Sequence, residues 1–203
     1  MQNMDISKLI LDNREEKNRF IQTLTNNYQV ITLKANIPGI NKNTNEAYLL
    51  INYFNQILLK KGYQKSNTLN GADGPMYIYL TDKDKDVKDE MVKIEEENVL
   101  GRFVDIDVFN GSISNNRVFL RKCYLCDKPA FVCSRNKEHT MEEITLYIQK
   151  NIEKELGRMG VEVRRSLTVS SFLKDAVIPK QFRKEETHLQ RANRLAKPYL
   201  MRD

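Results

Sequence analysis

Tryptophan is absent from this 203-residue chain, and cysteine is reduced to three residues. No apolar run approaches the ~20 residues that a membrane-spanning helix needs. The first residues, MQNMDISKLILDNREEKN, lack the apolar block and small-residue cleavage site of a secretory signal. A cytoplasmic location with no membrane partner is therefore expected. No internal repeat and no low-complexity tract is present. The missing tryptophans, and tyrosines that fall mainly at predicted core or helix positions, leave little of the aromatic platform on which single-stranded nucleic acid stacks. A non-enzymatic, zinc-containing nucleic-acid module is thus the weaker alternative. Charge is not scarce: 33 Lys and Arg face 27 Asp and Glu, a net +6. That mild excess suits an acidic partner or a polyphosphate, and it equally suits an ordinary soluble surface.

Periodicity supplies the elements. A helix is expected over 6–27, from Ile6, Leu9, Ile10, Phe20, Ile21 and Leu24, and a strand over 28–36. Pro38-Gly39 marks a turn. A second helix runs from about Asn45 to Lys61, with Thr44 as N-cap and Gly62 as its stop. Residues 66–75, SNTLNGADGP, read as a polar loop before the strand MYIYLT. Val87, Met91 and Ile94 give a narrow helical stripe, and RVFLRK at 117–122 reads as a strand. Thr140 caps a helix that Gly157 ends. From Arg158 onward eleven basic residues face five acidic ones. This suggests a domain over 1–160 and a basic, helical C-terminal extension over 161–203.

Two stretches concentrate chemistry. In LGRFVDIDVFN, Leu100 to Asn110, strand alternation puts Phe103, Asp105 and Asp107 on one face and Val104, Ile106 and Val108 on the other. Two neighbouring carboxylates repel unless something positive stands between them. A divalent cation answers that, and so does a solvated face with lysine partners. In the second stretch, Cys123, Cys126, Cys133 and His139 form C-x2-C-x6-C-x5-H. Three thiolates and an imidazole can complete a tetrahedral zinc shell, which predicts a structural knuckle over 121–140; the plainer alternative is three buried thiols with a chance histidine. Arg121, Lys122 and Arg135 flank it and are candidates to face a phosphate.

The run LGRFVDIDV followed by RKCYLCDKPAFVCSRNKEH resembles the apo-citrate lyase phosphoribosyl-dephospho-CoA transferases, the holo-acyl-carrier-protein synthases of citrate lyase. VITLKANIPGINKNT and GADGP are similar to the family's N-terminal half, so the resemblance covers about residues 10–155. Asn98-Val99 stands where relatives carry His-Pro. The resemblance implies an α/β (α+β) fold, a mixed sheet with packed helices of nucleotidyltransferase type. The Gly-Ser turn usual in that superfamily is replaced here by DEMVKIEEEN.

It implies nucleotidyltransfer as well. The donor would be 2'-(5''-triphosphoribosyl)-3'-dephospho-CoA, and the acceptor a serine of the apo acyl carrier protein subunit of citrate lyase. The corresponding enzyme of malonate decarboxylase type, acting on another carrier, is the nearest alternative. Within that reading Asp105 and Asp107 hold Mg²⁺ and Arg102 clamps phosphate as part of the catalytic set. Gly101 lets backbone approach the phosphates, and Lys42, Arg121 and Arg135 bind substrate. Glu95 is a further carboxylate for the metal. Zn²⁺ fills the knuckle.

Overall fold

The computed structural model describes residues 5–111, 113–114 and 121–158. The anticipated strand over 117–122 lies mostly outside these residues, and the basic extension over 161–203 lies wholly outside them. Among the described residues no helix is long and apolar enough to cross a membrane.

The first helix, α1 (Ile6–Thr25), is opened by the Asp5 carboxylate, which accepts the Ser7 N–H at 2.9 Å. It buries Ile10, Asn13, Lys17 and Ile21, a stripe at helical spacing with two polar members. Strand β1 (Gln29–Ala35) follows. In α2 (Asn45–Lys60) the Thr44 hydroxyl accepts the Ala47 N–H, and Gly62, at φ +91°, turns the chain out of the helix. Next come β2 (Lys65–Leu69), β3 (Met76–Thr81) and α3 (Lys88–Glu97). A short 3₁₀ turn, Gly101–Phe103, leads into β4 (Val104–Asn110), and β5 (Ile113–Ser114) folds back on it through Gly111. The chain then forms α4 (Ala130–Asn136) and α5 (Met141–Arg158). A reciprocal capping box opens α5: Thr140 N–H donates to Glu143, and Glu143 N–H to the Thr140 hydroxyl.

The strands form one sheet in the order β2-β3-β1-β4-β5. The α/β class holds, but every described pairing is antiparallel, so the sheet is not mixed in direction. Hairpins join β2 to β3 and β4 to β5, and antiparallel neighbours need no crossover helix between them. The polar 66–75 stretch is not all loop either. Asn67, Thr68 and Leu69 pair with β3, with Ser66 at a bulge, leaving 70–75 as the hairpin connection. Phe103 lies in the 3₁₀ turn and is buried, so it does not line up with the aspartates as strand alternation predicts.

The faces of the sheet differ. Ile31, Leu33, Tyr77, Tyr79, Val104, Ile106 and Val108 point into the main core, with α2, α3 and the Ile148, Ile152, Leu156 stripe of α5. The polar tips of this core are satisfied: Tyr77 and Tyr79 donate to Asn52 and Asn55 of α2 at 2.7 and 2.8 Å. The opposite face bears a smaller cluster of Ile21, Val30, Leu69, Met76 and Ile78, packed with Phe20, Leu24 and Phe109 under α1. Toward the other end of that face stand Thr32, Lys34, Asp105 and Asp107.

Candidate functional site

Burial along β4 alternates strictly: Val104, Ile106 and Val108 are buried, while Asp105 and Asp107 are half-buried on the α1 side. Register sets Lys34 opposite Asp105 and Thr32 opposite Asp107. Lys34 reaches diagonally to Asp107, Nζ to Oδ2 at 3.3 Å, and Arg121 takes Asp105 at 2.5 Å. The side chains of Lys34 and Asp107 are each 40% exposed, so this pair is screened by water and adds little stability. The two carboxylates thus share one face, and each has a cation against it.

Arg121 is a hub. It also faces Glu95 at 3.5 Å and donates to the Val104 carbonyl at 3.4 Å. Glu95 is buried and accepts the Ile106 N–H, the amide that lies between the two aspartates in sequence.

A second wall comes from the β2–β3 connection. Lys17 of α1, fully buried, binds Asp73 and the Gly74 carbonyl, both at 2.6 Å. Asn13 accepts the Ala72 N–H at 2.5 Å, and Asn43 donates to the Gly71 carbonyl at 2.8 Å. Gly71 and Gly74 are forced. A Cβ at Gly71 would lie 2.1 Å from Asn13 Oδ1, and one at Gly74, where φ is +93°, would lie 2.8 Å from the Lys42 carbonyl. Lys42 turns its ammonium onto the Ile37 carbonyl at 2.5 Å. Burial and Arg14 hold Lys42 below the usual lysine range, with Asp73 and Asp105 working the other way. Burial likewise lowers Lys17, and Asp73 opposes it.

The remaining arginines and Gly101 have different surroundings from those expected. Arg102 donates to the Lys122 carbonyl and lies 4.5 Å over the Tyr124 ring. Arg135 lies over Phe131 of α4. Gly101 faces protein: a Cβ there would meet the Glu95 carbonyl oxygen at 1.8 Å, so glycine is required to pack the 3₁₀ turn against α3.

The knuckle forms as the spacing predicts. The ligand atoms of Cys123, Cys126, Cys133 and His139 all lie within 4.8 Å of one another. Cys126 Sγ is 3.4 Å from Cys133 Sγ and 3.3 Å from His139 Nε2. The edge of a zinc–thiolate tetrahedron is about 3.8 Å, so a Zn²⁺ fits with small adjustments. Two short bonds close the turn: Cys123 N–H to the Lys128 carbonyl at 2.7 Å, and Ala130 N–H to the Arg121 carbonyl at 2.9 Å. Tyr124 docks the knuckle on the domain. Its ring stacks on Phe103, 5.8 Å between centroids, and its hydroxyl donates to the Asn36 carbonyl at 2.8 Å.

Sequence reading missed Lys17, Lys34, Asn13, Asn43 and Tyr124. Only GADGP signalled the second wall. Lys34 sits in the alternation of VITLKA, and nothing in that run says which strand lies beside it.

Fold and site together define an α/β protein with a cluster of three thiols and an imidazole that could hold a metal ion, and a pair of half-buried carboxylates, each against a cation, on one sheet face. The family model of apo-citrate lyase phosphoribosyl-dephospho-CoA transferase matches residues 6–155, and the chain belongs to that family. The apo-citrate lyase phosphoribosyl-dephospho-CoA transferase of Citrobacter koseri is 26% identical over 72% of this chain and 87% of its own length. Protein CitXG of Leuconostoc mesenteroides subsp. cremoris is 29% identical over 71% of this chain, and the match spans 35% of that longer protein. A probable transferase of the same name from Vibrio cholerae is 36% identical over 69 residues, 39% of its length.

Proposed function

We propose that this chain transfers phosphoribosyl-dephospho-CoA from 2'-(5''-triphosphoribosyl)-3'-dephospho-CoA to a serine of the apo acyl carrier protein subunit of citrate lyase, in the cytoplasm. The serine oxygen bonds to the phosphorus next to the ribose as it loses its proton. The bond from that phosphorus to the next bridging oxygen breaks, and pyrophosphate leaves. The observation that carries the reading is the pair Asp105 and Asp107 on one open face, with Lys34 and Arg121 against them, in a chain of this family.

Asp105 and Asp107 offer hard oxygen donors at the surface, which fits Mg²⁺, an ion that is commonly held by one or two carboxylates together with substrate phosphates. Bound there, it would neutralise charge developing on the triphosphate. Lys34 and Arg121 then exchange carboxylate for phosphate oxygens, Arg121 through its bidentate fork. The Lys17–Asp73 brace keeps the Gly71–Gly74 loop and the Lys42 backbone in fixed relation to β4. Arg102 acts chiefly through the knuckle it holds. Zn²⁺ in the Cys123, Cys126, Cys133 and His139 set would be structural, since four protein ligands leave no open position.

The test is pyrophosphate release and carrier loading by purified protein with the triphosphoribosyl donor and Mg²⁺. The apo carriers of citrate lyase and of malonate decarboxylase are compared as acceptors. Loading of the citrate lyase carrier is expected; loading of neither, or of the other alone, overturns the reading.

A further inference from the structure

The triphosphate chemistry leaves one buried acid without a task. Glu95 is 4% exposed and lies on α3, outside the aspartate pair. A buried carboxylate is costly unless it is paired and hydrogen-bonded. Glu95 is both: one oxygen accepts the Ile106 N–H and the other faces the Arg121 guanidinium at 3.5 Å. Arg121 in turn binds Asp105 at 2.5 Å and the Val104 carbonyl. Glu95 therefore grips the β4 main chain at the midpoint of the Asp-Ile-Asp run and grips the cation that sits on the first aspartate. Its own main chain is locked, because Gly101 brings the 3₁₀ turn into direct contact with the Glu95 carbonyl.

We infer that Glu95 is a positioning residue, not a metal ligand: it fixes Arg121 against β4 so that the guanidinium is already aimed at the phosphate site. The inference rests on the transferase reading. Without Glu95, the Arg121 guanidinium keeps, among the described residues, one long hydrogen bond to the Val104 carbonyl and the half-buried Asp105, the very group that Mg²⁺ would engage. A bidentate fork helps only if its direction is set before the phosphate arrives. The glycine of the Leu-Gly-Arg run acquires its reason from the same contact.

The experiment is a double-mutant cycle between Glu95→Gln and Arg121→Ala in the full chain, read on transfer kinetics and on the unfolding equilibrium. Glutamine keeps an oxygen for the Ile106 N–H and removes the charge that orients Arg121. The Gln variant is expected to raise KM for the donor about tenfold with kcat changed less than about threefold. In the Arg121→Ala background it should cost almost nothing further. Equal losses in both backgrounds, or wild-type kinetics in Glu95→Gln, overturn the inference. Should the Gln variant fold poorly, Glu95→Asp is measured under the same criterion. If the wild type loads no carrier, the proposed function fails by itself. The cycle is then decided on unfolding, where a coupling of about tenfold in the equilibrium constant is expected and simple additivity refutes it.

Discussion

The two faces of the sheet are written by alternate residues of the same strands, and they do opposite work. On the α2, α3 and α5 side, β4 contributes Val104, Ile106 and Val108 to a continuous core. On the α1 side the same strand contributes Asp105 and Asp107 to a set of charges, each opposed by a base. One face is stabilised by apolar burial, which is tolerant of detail. The other depends on placed charges, of which the buried ones are stable only while they retain their partners and the half-exposed ones add little. The polar face is not uniformly loose. At its second wall the Lys17–Asp73 pair is shielded from water, with side-chain exposures of 1% and 6%.

That pair gives the largest expected effect. Lys17→Met leaves Asp73 buried without its cation and should cost about 3–5 kcal/mol in chemical unfolding. A loss no larger than that of an exposed lysine would mean water reaches the pair.

Adjacent residues of β4 sharpen the contrast directly. Ile106→Ala should cost about 2–5 kcal/mol of stability, because it empties part of the main core. Asp107→Asn, one position on and facing the other way, should change stability by less than about 1 kcal/mol. Transfer by that variant should fall by about a hundredfold or more. Carrier loading and urea unfolding of both variants check the pair, and wild-type turnover by Asp107→Asn would end the role given to the polar face.

Stripping metal tests whether the knuckle serves that face alone. Elemental analysis should find about one zinc per chain. A strong chelator should loosen α4 and the Arg121 carbonyl contact, lowering transfer about tenfold or more, while the helical signal of α1 and α2 persists. A zinc-free preparation that keeps full activity once Mg²⁺ is restored would remove zinc from the account.

The smallest effect lies at the rim of the core face. The Tyr63 hydroxyl and Lys61 hydrogen-bond Glu90 and hold its carboxyl below the usual range. A carboxyl with a depressed folded pKa contributes stability that is fully present above the unfolded value, ~4.3, and is lost as pH falls through the folded one. Glu90→Gln should therefore flatten the acid limb of the stability profile by slightly lowering the neutral-pH plateau, with little change at low pH where Glu90 is already protonated.

The sequence by itself determined α1, α2, α3 and α5, though not α4 inside the cysteine run, because their apolar spacing and caps are local: Thr44 and Thr140 sit where their helices begin, and the Val87, Met91, Ile94 stripe is buried as its spacing implies. It also determined the sidedness of Asp105 and Asp107, which follows from the two-residue repeat of any strand, and the knuckle, whose ligands all fall within 123–139. Strand order, the antiparallel direction of every described pair and the extent of β2 were decided only in three dimensions. So were the partners of the charges: Lys34 for Asp107, Arg121 for Asp105, Lys17 for Asp73 and Glu95 for the Ile106 amide. Each joins residues from different elements, and a periodic pattern can say which way a side chain points but not which distant segment arrives to meet it.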